Sequence, residues 1–161
     1  MIRIALKTDF DQIWTIFKAV IAPGDTYVYH PDTAKEDAQY LWMERPVKTY
    51  VFEENNQILG TYYIKQNRPG LGDHICSCGY MVHPNHQGKG IGTAMCKHSQ
   101  SEAKALGFTG MQFNFVVASN TPAVKLWQHL GFNIIGEIPN AYRFNANPET
   151  KVSVYIMYKE I

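Results

Sequence analysis

Gly79-Tyr80-Met81-Val82-His83-Pro84-Asn85-His86-Gln87-Gly88-Lys89-Gly90-Ile91-Gly92 is the stretch that decides how this chain is read. An apolar run leads into a turn, then into three glycines within five residues, then into a helical pattern from Ile91 to Leu106. The order is strand, glycine loop, helix. Glycines let backbone N–H groups converge without Cβ obstruction. A helix N-terminus behind them adds orphan donors and the positive end of the helix dipole. Such an arrangement can cradle a phosphate or pyrophosphate. A plain glycine-rich turn before an ordinary helix would look the same.

Two familiar phosphate loops do not fit. A P-loop requires Gly-x4-Gly-Lys-Ser/Thr, an order absent here, and the dinucleotide fingerprint requires Gly-x-Gly-x-x-Gly at the start of a βαβ unit. Gly88, Gly90 and Gly92 instead give Gly-x-Gly-x-Gly midway along the chain. What fits is Gln-x-x-Gly-x-Gly, at Gln87, Gly90 and Gly92. It resembles the acetyl-CoA pyrophosphate loop of the GCN5-related N-acetyltransferases. A second segment, Asn120-Thr121-Pro122-Ala123-Val124-Lys125-Leu126-Trp127-Gln128-His129-Leu130-Gly131-Phe132, resembles that family's other signature. It also reads as a short helix in its own right. Asn120 or Thr121 can cap it, Pro122 suits its first turn, Val124, Leu126, Trp127 and Leu130 form its apolar stripe, and Gly131 stops it. The resemblance extends from about Ile2 to Lys159.

Composition sets the remaining bounds. The chain has 161 residues, is 45% hydrophobic and 18% charged, and carries a net charge of +1. A single domain spanning residues 1–161 is expected, with an ordinary buried core. Nothing in the charge points to nucleic acid or a membrane surface as partner. No uninterrupted apolar stretch suggests a signal peptide or a membrane span. Cys76, Cys78 and Cys96 are odd in number, and reduced thiols in a cytoplasmic protein suit them best. No Cys-x-x-Cys or His-x3-His spacing occurs, so no metal site is expected. A homodimer is left open.

Hydrophobic periodicity gives a coarse element order. Ile2 to Leu6 is a strand. Thr8 or Asp9 caps a helix ending at Pro23-Gly24, and Asp32 or Thr33 caps a second. Lys48 to Glu53 and Ile58 to Gln66 flank an Asn55-Asn56 hairpin turn. Ile75 to Val82 is apolar enough to be a central strand. After the Ile91 helix come strands at Met111 to Val117, Phe132 to Ile138 and Val152 to Lys159. The order βααβββαβαββ is that of an α/β fold. The resemblance implies the family's mixed, splayed sheet of about seven strands with helices on both faces.

The resemblance also implies a chemistry: transfer of an acetyl group from acetyl-CoA to an amine. The loop Gly88, Lys89, Gly90, Ile91, Gly92 and Thr93 would hold the pyrophosphate through its backbone, with a side-chain contact from Gln87. Lys89 either pairs with a phosphate or is a solvated loop lysine. In the family the pantetheine arm inserts beside the fourth strand, which carries over to Tyr80, Met81 and Val82. Gly79 fits a bulge there, and the N–H of Met81 or Val82 would be the oxyanion donor. Asn120 matches a family asparagine that touches the pantetheine arm, and is otherwise a helix cap. The family's proton-donating tyrosine falls on Trp127, whose indole is no acid at neutral pH. The position of a general-base glutamate falls on Phe115. A direct or water-relayed reaction is therefore expected.

Gln112-Phe113-Asn114-Phe115-Val116-Val117 and Asp73-His74-Ile75-Cys76-Ser77-Cys78-Gly79-Tyr80 resemble a subgroup that includes fungal azetidine-2-carboxylate N-acetyltransferases. There an asparagine at the position of Asn114 holds the substrate, and a second falls on Ser77. Asn114 lies in an apolar strand, where an amide needs a partner, catalytic or structural. Tyr29 and Arg143 are further substrate candidates, Arg143 as a bidentate carboxylate ligand. His74 is a candidate base because imidazole titrates near neutrality. The leading expectation is acetyl transfer to a small-molecule amine or amino acid. A protein N-terminal or lysine acetyltransferase and a catalytically silent CoA-binding module are the alternatives.

Overall fold

A computed structural model describes all 161 residues. Its elements are β1 (Ile2–Ile4), α1 (Phe10–Ile21), α2 (Lys35–Gln39), β2 (Lys48–Glu54), β3 (Gln57–Gln66), β4 (Ile75–Val82), α3 (Ile91–Ala105), β5 (Gly110–Val117), α4 (Thr121–His129), β6 (Asn133–Arg143) and β7 (Lys151–Glu160). The strands form one sheet in the order β1-β2-β3-β4-β5-β7-β6. Every neighbouring pair is antiparallel except β4 with β5. The order and the central place of β4 match the sequence reading.

Strand alternation divides the core into two layers. Tyr62, Cys76, Cys78, Met111 and Phe113 face α3, packing with Ile91, Met95 and Cys96. Tyr63 and Met81 face the other way, against Ile13, Ile16 and Phe17 of α1. α2 runs into a π-helical turn, Tyr40–Glu44, that buries Trp42 completely. The Trp42 indole donates to Thr61 Oγ1 at 3.0 Å, and Thr61 donates to the Tyr50 carbonyl at 2.9 Å, so the buried indole N–H is satisfied. Asn55 and Asn56 both take positive φ, 51° and 62°, as the tight turn between β2 and β3 requires.

Several local expectations are corrected. The Asp9 side chain does not cap α1. Its carboxylate accepts from the Leu6 N–H at 2.7 Å and from Arg3 at 2.7 and 3.0 Å, tying the chain before α1 to β1. The N-cap of α2 is Ala34, because Asp32 and Thr33 instead bond to His30. β6 continues past Ile138 to Arg143 although Pro139 interrupts it. It can do so because β6 is an edge strand, where a missing N–H costs no ladder bond. No bulge forms at Gly79, since β3 and β4 stay in register through Tyr63↔Gly79. Glycine is needed there for close approach. A Cβ would lie 2.6 Å from the Tyr63 ring and 2.7 Å from the Tyr27 hydroxyl.

Arg3 holds the Asp9 carboxyl below its ordinary value of 3.8, chiefly through their hydrogen bond. A depressed carboxylate stabilises the fold above its unfolded pKa, and that contribution is lost as pH falls through the folded value. Asp9→Asn is therefore expected to cost about 1–2 kcal/mol at pH 7. In urea melts the gap between variant and wild type should narrow steadily below about pH 4. A gap independent of pH would contradict this reading.

Candidate active site

β4 and β5 pair only at Ile75↔Gly110 and Cys76↔Met111, then separate. β4 remains paired with β3 to Val82, and β5 with β7 to Val117. Three hydrogen bonds fix which backbone groups face the opening. His83 N–H donates to the Leu59 carbonyl, Asn67 N–H to the Ile75 carbonyl, and Thr109 N–H to the His74 carbonyl. With the unbroken β3–β4 register, odd-numbered residues of β4 turn their backbone toward β3 and even-numbered ones toward β5. Tyr80 and Val82 therefore present N–H and C=O to the gap. Met81 does not, because its backbone pairs with Thr61 and its side chain is buried against α1. This corrects the expectation that Met81 supplies the oxyanion donor; of the two amides, that of Val82 faces the gap.

The gap opens into a cavity of about 1130 Å³. The glycine loop lies at one end. Gly88 and Gly90 take positive φ, 74° and 78°, and Gly90 is the N-cap of α3. The first backbone bond of the helix is Ala94 N–H to the Gly90 carbonyl, and none of the N–H groups from Gly88 to Thr93 donates within the chain. The loop is thus a run of free donors at a helix N-terminus with no Cβ over Gly88 or Gly90, the build that suits a pyrophosphate. Gln87, Gly88, Gly90, Ile91, Gly92 and Thr93 line the cavity, but Lys89 does not. Its ammonium points back to His86 Nδ1 at 3.4 Å.

α4 closes one side. Asn120 lines the cavity and also caps α4, accepting from the Ala123 N–H at 3.4 Å. Trp127 packs on Tyr80 and Phe113, with ring centroids 5.0 and 5.1 Å away, while still reaching the cavity wall. The Tyr80 hydroxyl is bonded to Ser99 at 2.7 Å, and burial holds its ionisation well above the ordinary tyrosine value. Phe115 also lines the cavity.

The opposite wall combines the segment after α1 with the α1-facing side of β3, β4 and β5. Tyr29 and Ser77 line it, together with Tyr27 and Tyr63. Burial raises the ionisation of all three tyrosines. Asn114 sits at the break in β5 where its register with β7 shifts, between Phe113 and Val116. Its Nδ2 donates to Asn67 Oδ1 at 2.6 Å, and its Oδ1 accepts from Gln112 at 2.8 Å. The amide therefore has structural partners, and Oδ1 keeps a second lone pair.

Two substrate candidates are not brought to the site. His74 is exposed at the start of β4, on the closed side of the gap, and is not positioned to act as a base. Arg143 is exposed at the far end of β6 and does not line the cavity; Tyr142 before it is buried and Phe144 after it lines the cavity, so alternation turns Arg143 outward. Arg45 and Lys65 do line it and escaped the sequence reading. The available signal was a lysine closing the otherwise buried strand Tyr62-Tyr63-Ile64-Lys65.

Residues 11–132 match the Acetyltransferase (GNAT) family. The chain is 39% identical over 99 residues to the N-acetyltransferase aca1 of Schizosaccharomyces pombe; the match covers 62% of this chain and 47% of that protein, so the chain spans about half of that relative's length. It is 29% identical over 143 residues to the L-amino acid N-acyltransferase MnaT of Escherichia coli, covering 86% of this chain and 82% of that protein. A solved GCN5-related N-acetyltransferase from Kribbella flavida superposes with a TM-score of 0.92 at 36% identity, covering all of this chain and 97% of its own. The chain belongs to the GNAT acetyltransferase family.

Gly90→Asp would put a carboxylate among the free N–H groups at the start of α3. Aspartate tolerates the left-handed backbone better than most residues, so the fold should persist. Acetyl-CoA affinity measured by calorimetry should fall at least tenfold, about 1.4 kcal/mol. Undiminished affinity in the folded variant would remove the loop from the binding site.

Proposed function

We propose that this protein transfers the acetyl group of acetyl-CoA to the amine of a small molecule or amino acid. The observation that carries this reading is the joining of two features in one cavity. The run of free N–H donors from Gly88 to Thr93 opens into the same space as the unpaired backbone of Tyr80 and Val82. When bound, acetyl-CoA supplies an activated acetyl group as a thioester. Gly88 to Thr93 would hold its diphosphate, Asn120 and the open edge of β4 would receive its arm, and no metal is required by this chemistry.

In this reading the Val82 N–H is the donor aimed at developing negative charge. It costs little to organise, because β4 is held rigid by β3. Trp127 and Phe115 give no acid or base, so as the new C–N bond forms and the thioester C–S bond breaks, the amine sheds its proton to water in the open cavity and the released thiolate takes one from it. Catalysis then rests on positioning rather than on a dedicated proton-transfer pair. Asn114, fixed by Gln112 and Asn67, directs its remaining lone pair at the amine. Three free buried cysteines suit a reducing compartment, and we place the reaction in the cytoplasm.

Thiol release from acetyl-CoA, assayed against amino acids, proline analogues, polyamines and peptides, tests the proposal. Turnover is expected with a small amine, and a folded, CoA-binding protein inert toward every amine would overturn it. For the best acceptor, Asn114→Ala should lower kcat/KM at least tenfold with acetyl-CoA affinity intact. It should also cost about 1 kcal/mol of stability, because Asn67 and Gln112 lose a partner. Unchanged kinetics would reduce Asn114 to a structural link between β3 and β5.

A further inference from the structure

Arg45 and Lys65 are cations on the cavity wall, Lys65 half-buried and Arg45 exposed, and Asp25 is the sole carboxylate on it. Lys65 lies opposite Ser77 in the β3–β4 ladder, on the same face as Tyr63 and Met81. Its ammonium rests 5.6 Å from the centroid of the Tyr63 ring, which holds the head group along the wall. Arg45 ends the π-helical turn after α2, its N–H bonded to the Tyr40 carbonyl. Elsewhere, Arg3 pairs with Asp9 and Glu53, and Lys35 pairs with Asp11. Neither Arg45 nor Lys65 has a carboxylate within ion-pair distance, since the remaining pair is His30 with Asp32.

Two like charges on the wall of one cavity raise each other's energy. Burial, and then Arg45, push the Lys65 ammonium below its ordinary value. An anion placed between them would relieve both. The diphosphate cradle is at the other end of the cavity, at the start of α3, so the coenzyme's phosphates do not need these cations. Asn67 lies two residues beyond Lys65 on the same face of the chain, about 7 Å along it, and Asn67 holds Asn114. An anion at Lys65 and an amine at Asn114 are thus within the reach of one small molecule.

We propose that Arg45 and Lys65 form a carboxylate site in the acceptor half of the cavity, so that the acceptor is an amino acid with a free α-carboxylate. The proposal rests on the acetyl-transfer reading of the cavity. The planar guanidinium gives two parallel donors to a carboxylate, and the lysine adds a point charge. Tyr27, Tyr29 and Tyr63 leave an aromatic pocket for the side chain.

The test compares the proteinogenic L-amino acids with their primary amides, in wild type and in the double variant Arg45→Gln/Lys65→Gln. Neutralising the ligand and neutralising the protein should have the same effect. Wild type should favour the acid over its amide at least tenfold in kcat/KM. The double variant should lose that preference through a higher KM for the acid, with amide turnover and acetyl-CoA affinity unchanged. Equal use of acid and amide by wild type, or an equal loss for both in the variant, would overturn the proposal. If no amine turns over, the acetyl-transfer reading fails by itself. Calorimetry of the same acids and amides with the CoA-bound protein then decides the carboxylate site. Preferential binding of the acid that is lost in the double variant supports it. Equal affinity, or no binding of either, overturns it.

Discussion

The parallel pairing of β4 and β5 lasts two residues, and the rest of the site follows from its failure. Backbone donors and acceptors inside a protein must be satisfied. β4 and β5 each meet that demand on their outer edges, with β3 and β7. Their inner edges part, and Asn114 marks the point at which β5 breaks register with β7 and bonds instead to Asn67 after β3. What remains is a wedge of open ladder in the middle of a seven-stranded sheet, roofed by α3 and α4 and floored by the aromatic layer around Trp42. A ligand with an extended, amide-bearing arm can complete such a ladder as a strand would.

Much of this was legible in the chain because local rules agreed with one another. The glycine loop, the Asn120 cap and the Asn55-Asn56 turn each have a local physical cause, and all three appear where the sequence placed them. What failed was information that lives in register. Whether Met81 or Val82 faces the gap depends on a single step of alternation, and a slip of one residue reverses it. A glycine inside a strand signals either a bulge or close approach. Only the positions of Tyr63 and Tyr27 show that Gly79 is the second kind. His74 and Arg143 were picked for their chemistry, but His74 lies where β4 and β5 are still paired and alternation along the end of β6 turns Arg143 outward. Lys65 escaped the sequence reading because only its pairing with Ser77 puts it on the cavity side.

The positions where the chain departs from its family's usual pattern are informative about mechanism. Tyr80, Phe113, Trp127 and Phe132 form one aromatic cluster, in which Phe113 and Phe132 stack 4.4 Å apart. The cluster stiffens the wall beside the open edge of β4 while offering no proton donor to the gap. Phe115 extends the same apolar character across it. A site built in this way has no side-chain acid at Trp127 and no side-chain base at Phe115. Its polar groups gather instead on the opposite wall, at Asn114, Ser77, Lys65 and Arg45.

The most direct measurement is residue-resolved amide hydrogen exchange of the free and CoA-bound protein. Met81 N–H, paired with Thr61, should be protected in both states. Val82 N–H, on the open edge, should exchange much faster in the free protein and become protected when CoA is added, together with the amides from Gly88 to Thr93. If Val82 is already as protected as Met81 and does not respond to CoA, or if Met81 is the amide that responds, the open-ladder account of the site is wrong.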